Sequence, residues 1–225
     1  MTTEAIKSEI ESGSAIVGIE FGSTRIKAVL INSENSPVAQ GSHTWENFLV
    51  DGIWTYSETE IIAGLQSAYA DLKRDVKEKY GVTLKRLRAL GISAMMHGYL
   101  AFGKDDKLLV PFRTWRNTIT GEASEQLSAL FGYPIPERWS ISHLYQAILN
   151  GESHVKDVAF FTTLAGFIHW KLSGKKVLGI GDASGMFPID TNTKDFNKDF
   201  ITKFDTLVAD KKFGWKLADL FPKVL

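Results

Sequence analysis

Two short apolar runs separated by a polar bend open the patterned part of the chain. Residues 15–19 read as one buried strand and residues 26–31 as a second. Both runs are apolar at successive positions rather than alternating, which predicts a sheet covered on both faces. The cluster Asn32, Ser33, Glu34, Asn35, Ser36 and Pro37 is a turn. Residues 38–44 make a third strand. The polar residues 1–13 predict a flexible N-terminal arm, followed by one domain over 14–225.

A helix comes next. Ser57 and Glu60 have the spacing of a capping box. Ile61, Leu65, Ala68, Leu72 and Val76 then recur on one helical face. Lys73, Lys77 and Lys79 favour the C-terminal end of the helix dipole, and Gly81 suits its cap. Residues 87–93 read as a fourth strand. Three consecutive strands, a crossover helix and a further strand predict a mixed sheet. Beyond it, residues 99–110 read as a hairpin with a charged turn at 104–107. Ile141, Leu144, Tyr145, Ile148 and Leu149 mark a helix ended by Asn150 and Gly151. Leu164, Phe167, Ile168 and Leu172 mark another, ended by Gly174. A last strand falls at 176–180, and a helical start to the tail near Asp199. No internal repeat or low-complexity linker interrupts this order.

Composition narrows the chemistry. Among 225 residues, 44% are hydrophobic and 23% charged, which supports a sizeable core. Lys plus Arg is 26 and Asp plus Glu is 26, so no bulk field favours nucleic acid or an anionic membrane. With no cysteine, disulfide scaffolds, thiolate zinc sites and cysteine nucleophiles are excluded. The start lacks a signal-peptide pattern, and no apolar run reaches the roughly 18 residues of a membrane span. A cytoplasmic globular protein is the expectation.

Chemistry concentrates in the first bend. Residues 18–27 read Gly-Ile-Glu-Phe-Gly-Ser-Thr-Arg-Ile-Lys. Gly22 permits a sharp turn and close approach of an anion. Consecutive N–H groups in such a turn make an anion-binding concavity. Ser23 and Thr24 add hydroxyls, and Lys27 adds a positive charge. Glu20 suits magnesium held through water, because that ion dehydrates reluctantly. The same residues also fit a plain hairpin turn with polar side chains. Neither a Walker motif nor the dinucleotide glycine pattern is present.

The bend resembles the first phosphate motif of the FGGY carbohydrate kinases, Asp-x-Gly-Thr-x-x-x-Lys. Gly22 and Lys27 match it, Ser23 replaces threonine, and Glu20 replaces aspartate, adding about 1.5 Å of reach. Residues 91–98, Gly-Ile-Ser-Ala-Met-Met-His-Gly, resemble the segment that lines the sugar pocket in xylulokinase-like members. Residues 111–117 resemble a Pro-x-x-x-Trp-x-Asp segment in which Trp115 offers an apolar face to a sugar and Asn117 replaces aspartate. Arg116 has Glu20, Asp182 or the sugar as its expected partners. Residues 163–174 resemble the family helix ending in Leu-Thr-Gly. Residues 181–187 resemble the Ser-Asp-Ala segment after it, where Asp182 caps a local turn or meets sugar.

These segments follow family order from Gly18 to Phe187. The resemblance implies the ribonuclease-H-like fold of actin, Hsp70 and hexokinase: a mixed sheet flanked by helices, forming the first of two domains. It implies ATP and Mg2+ as cofactors. Gly22, Ser23, Thr24 and Lys27 would hold phosphate, and Glu20 the metal. Met96, His97, Trp115, Arg116, Asn117 and Asp182 would meet the sugar, with a ketopentose such as xylulose as the expected acceptor. In the family the base aspartate and a second, C-terminal domain lie beyond the position of Leu225, so this chain is expected to be inactive alone. Two other readings share the bend: an actin- or Hsp70-like nucleotide-binding protein, and a sugar-binding regulator without catalysis.

Overall fold

The computed structural model describes all residues, Met1–Leu225. In chain order the elements begin with α1 (Thr3–Ser12), β1 (Ile16–Phe21), β2 (Arg25–Ile31), β3 (Pro37–Thr44), β4 (Phe48–Val50) and β5 (Ile53–Thr55). They continue with α2 (Glu58–Tyr80), β6 (Ala89–Ala94), β7 (Leu100–Phe102), α3 (Gly121–Phe131) and α4 (Ser140–Leu149). After these come β8 (Phe160–Thr162), α5 (Leu164–Ser173), β9 (Val177–Leu178), α6 (Ile180–Ala183) and α7 (Lys198–Leu207). Within the stretch read as one domain, the chain divides into two compact units. One comprises Met1–Asn47 with Tyr56–Met95; the other comprises Phe48–Thr55 with Met96–Leu225.

The first unit is a four-stranded mixed sheet in the order β3-β2-β1-β6. β1 is antiparallel to β2 and parallel to β6, the parallel step being crossed by α2. The capping box at Ser57 and Glu60 forms as the sequence predicts, and Gly81 closes α2 in the left-handed region at φ 71°. Ile61, Leu65, Ala68, Leu72 and Val76 bury the helix stripe. Val17, Ile19, Phe21, Ile26, Ala28 and Leu30 supply the buried face of the sheet.

Only that face is covered. Gly18, Glu20, Lys27 and Gly91 lie exposed on the other, where they border an open recess of about 450 Å³. The expectation of a sheet covered on both sides is therefore corrected within this unit. The apolar runs overstated burial because the uncovered face also carries apolar residues, Ile16, Val29 and Ile31, beside the side-chain-free Gly18 and Gly91. The free edge of β3 is occupied: Asp75 accepts from the Gln40 amide and Asp71 from the Ser42 amide, both at 2.8 Å. Gly41 makes this approach possible, since a Cβ there would stand 2.1 Å from the Leu72 nitrogen. Helix carboxylates thus cap a sheet edge that would otherwise offer unpaired donors.

The expected loose arm at 1–13 is also corrected. It is the helix α1, capped by Thr2 at its start and by Gly13 in the left-handed region at its end. Ile10 is buried and Glu9 accepts from the Ser33 amide at 3.0 Å and from the Ser33 hydroxyl, so one apolar residue and a doubly bonded carboxylate anchor an otherwise polar helix.

The second unit is mainly helical around an apolar core that includes Leu127, Leu144, Phe161, Phe187 and Phe204. The hairpin expected at 99–110 forms: Gly103 donates to the Lys107 carbonyl at 3.0 Å, Phe102 bridges Leu108 in antiparallel fashion and Leu109 donates to the Ala101 carbonyl at 2.9 Å. β7 also pairs with the distant β8. The helix α3 and the β4–β5 hairpin went unpredicted, although Asp51-Gly52 is a hairpin-turn signal.

Candidate functional site

In the first unit the bend between β1 and β2 is tight and open. The Gly22 amide donates to the Arg25 carbonyl at 3.0 Å, and a Cβ at residue 22 would lie 3.0 Å from that same oxygen. Glycine relieves this crowding. Ser23 is half-buried, while Thr24 and Arg25 are exposed. Glu20 and Lys27 are direct partners in the β1–β2 register, and their charged ends stand 3.6 Å apart. Lys27 therefore lies beside the bend, as the sequence predicts. Arg25 adds a second cation, which the motif comparison passed over.

The bend is held from below by residues that no motif named. The Trp45 indole donates to the Gly22 carbonyl at 2.8 Å, and the Tyr56 hydroxyl to the Ser23 carbonyl at 2.6 Å. The Trp45 amide donates to the Thr24 carbonyl at 3.2 Å. The two rings stack with centroids 4.1 Å apart, and Phe21 meets Trp45 edge-on. Isolated aromatics after a strand carry no phosphate signal, so the sequence alone had no reason to single them out.

Glu20 is the carboxylate available at the bend. No group of three or more His, Cys, Asp or Glu residues is arranged to hold a metal ion. A single carboxylate fits magnesium bound mostly by water and substrate phosphates, and does not fit a cage built from protein ligands.

In the second unit the segment 113–117 forms a hub. Tyr99 and Arg113 exchange backbone hydrogen bonds at 2.8 and 3.1 Å, which sets His97 and Gly98 beside this segment. On its other side Thr114 and Asn117 grip β5. The Asn117 side chain accepts from the Trp54 amide at 2.8 Å and donates to the Trp54 carbonyl at 2.9 Å and the Thr114 carbonyl at 3.1 Å. Asn117 is only 3% exposed. Its amide is thus engaged with backbone and clamps the Trp54 peptide of β5 to the 113–117 segment. The Arg116 guanidinium lies over the Trp54 ring, 3.7 Å from its centroid. Trp115 remains 44% exposed.

His97 occupies the left-handed region at φ 73°, a conformation that costs a non-glycine residue energy. One ring nitrogen lies 3.3 Å from the Gly185 carbonyl. Burial holds the imidazole below its ordinary pKa, and Arg138 adds to this, while the Gly185 contact opposes it. A neutral ring can both donate to and accept from a hydroxyl. Met96 neighbours His97, 40% exposed.

Asp182 sits in the short helix α6 and accepts from the Thr163 hydroxyl, which itself caps α5 through the Gly166 amide. Burial raises the Asp182 pKa, with the Thr163 hydrogen bond working against it. The 182–185 turn thus joins the α5 cap to His97.

The profile of the FGGY family of carbohydrate kinases, N-terminal domain, matches residues 15–210. No curated protein matches the chain. Among solved structures, a xyloylose kinase from Brucella ovis superposes with a TM-score of 0.78 at 16% identity, over 94% of this chain and 43% of its own. A gluconate kinase from Lactobacillus acidophilus gives 0.75 at 19% identity, over 94% and 42%. Plasmodium falciparum glycerol kinase with ADP gives 0.71 at 15%, over 94% and 43%. The chain therefore spans less than half the length of these neighbours, which are similar to it in fold. With the profile spanning most of its length, the chain belongs to the FGGY family of carbohydrate kinases, as that family's N-terminal domain.

Proposed function

We propose that this chain supplies the phosphate cradle and part of the acceptor site of an ATP-dependent carbohydrate kinase. The reaction is transfer of the γ-phosphoryl group of ATP to a sugar hydroxyl. A ketopentose such as xylulose is the acceptor suggested by the Met96-His97-Gly98 segment. The observation that carries the reading is the exposed Glu20–Lys27 pair, set face to face at the mouth of the bend. Lys27, with the Ser23 and Thr24 hydroxyls, would steady the anionic end of ATP. Glu20 would meet hydrated magnesium, which neutralises developing charge when bound. On the acceptor side, His97, Met96, Trp115 and Arg116 would hold the sugar. Asn117 serves them by fixing the Trp54 backbone, and Asp182 by fixing the turn against which His97 rests. No helix is long and apolar enough to cross a membrane, and a cytoplasmic setting suits the cysteine-free composition.

The test is a turnover assay on the full polypeptide that contains this chain, with Mg·ATP and a panel of pentuloses, hexoses, gluconate and glycerol. Phosphorylation of a ketopentose is the expected result. ATP binding without sugar binding would replace this reading with an actin-like one, and sugar binding without turnover with a regulator. The 225-residue chain alone is expected to show negligible turnover, because it spans less than half the length of the kinases that it resembles in fold; robust activity from the purified chain would refute that.

A further inference from the structure

We propose that Trp45 and Tyr56 are positioning residues that orient the phosphate-facing donors of the bend at Gly22 to Arg25. The inference rests on the reading of that bend as a phosphate cradle and names what presets it. A peptide unit is planar and trans, so its carbonyl and the N–H of the following residue point in opposite directions. Three successive carbonyls are drawn toward the protein interior. Gly22 is held by the Trp45 indole, Ser23 by the Tyr56 hydroxyl and Thr24 by the Trp45 amide, at 2.8, 2.6 and 3.2 Å. The N–H groups of Ser23, Thr24 and Arg25 are turned the other way. Successive backbone donors aimed to one side are what an anion-binding concavity requires.

Neither aromatic residue can itself touch a ligand at the bend. Trp45 is 5% exposed and Tyr56 is 1% exposed. They form one stacked layer, at an interplanar angle of 28°, and both donors rise from it to adjacent carbonyls. Tyr56 is further fixed by the Asn47 side-chain amide, 3.4 Å from its hydroxyl. A hydroxyl-bearing loop without such support would sample several peptide orientations and lose donor alignment when it bound.

The experiment uses Trp45→Phe and Tyr56→Phe in the 225-residue chain. Each keeps a ring in the layer and removes one hydrogen-bond donor. Affinities for inorganic tripolyphosphate and for Mg·ATP are measured by calorimetry at low salt. Amide chemical shifts of Ser23 and Thr24 are followed in the same titrations. Each variant is expected to weaken both ligands about fivefold, the equivalent of one lost hydrogen bond, and to move those two amides before any ligand is added. Leu72→Val, a core change under the same sheet, controls for general destabilisation and is expected to leave affinity unchanged. If the wild-type chain binds phosphate and both variants bind it equally well, the assignment of Trp45 and Tyr56 is overturned and the cradle stands. If the wild-type chain binds neither compound, the cradle itself is overturned. A loss of affinity in Leu72→Val equal to that in the aromatic variants would also overturn the assignment, since stability alone would then explain it.

Discussion

Asn117 shows how far a single residue's chemistry decides its role. Family resemblance placed it among sugar ligands, standing where aspartate is usual. In the fold it needs an acceptor toward the Trp54 amide and a donor toward the Trp54 and Thr114 carbonyls at once. Only an amide supplies both. Asn117→Asp should therefore be no conservative change: it removes two donor contacts and sets a buried negative charge against two carbonyl oxygens. Such a loss is expected to cost about 2–3 kcal/mol of stability, read as a lowered urea midpoint with an unchanged m-value. Unaltered stability would deny the clamp. Lys27 is the opposite case. Its place beside the bend was legible in the sequence because strand spacing from Gly22 fixes it, and the register with Glu20 follows directly. The clamp was not legible, because Trp54 and Asn117 are distant in sequence and meet only when β5 lies against the 113–117 segment.

Elements whose signals are local formed as the sequence predicts. The α2 stripe and its two caps need only neighbours within a few turns. The helix–sheet contact at Gly41 is different, since nothing near that residue announces it. A methyl group there would lie 2.4 Å from the Ala68 carbonyl and 2.1 Å from the Leu72 nitrogen, both helix backbone. Gly41→Ala must push α2 away and strain the hydrogen bonds from Gln40 and Ser42 to Asp75 and Asp71. An overpacking cost of about 1–3 kcal/mol is expected, with faster amide exchange along β3. Wild-type exchange rates in that variant would show that the helix has more freedom than the contact implies. α1 was misread at this scale because its polar face dominates its composition, while its anchors are the buried Ile10 and the Glu9 contacts with Ser33.

Across the chain, buried ionisable groups make stability depend on pH. His143 is fully buried, neither ring nitrogen meets a protein partner, and burial together with Arg113 lowers its pKa to about 3. His154 is lowered too, chiefly by burial. Beside them Arg113 and Glu152 pair, and that pairing outweighs burial to lower the Glu152 pKa. The unfolded chain binds protons at these histidines near pH 6.5, and the folded chain binds them less readily. Stability therefore falls as pH drops below about 6.5, by up to about 1.4 kcal/mol per pH unit for each histidine. Glu152 adds a further loss at lower pH, as its depressed folded pKa is reached. Thermal unfolding between pH 7 and 4 should show this slope, and His143→Phe should flatten it. An identical slope in that variant would mean that His143 is reached by protons without unfolding.

By itself the sequence determined the strand–bend–strand opening, the capped crossover helix, the glycine–hydroxyl–lysine spacing of the bend and the order of segments shared with the FGGY kinases. Those are near-neighbour properties: turn chemistry, hydrophobic period and cap geometry act over a few residues. The tertiary structure alone decided which face of the sheet is covered, which side chains lock the bend's carbonyls and which polar groups are spent on backbone. Those outcomes depend on residues far apart in the chain, such as Trp45 with Gly22 and Asn117 with Trp54. Hydrogen bonding and burial between such residues exist only once the chain has closed the loops that separate them.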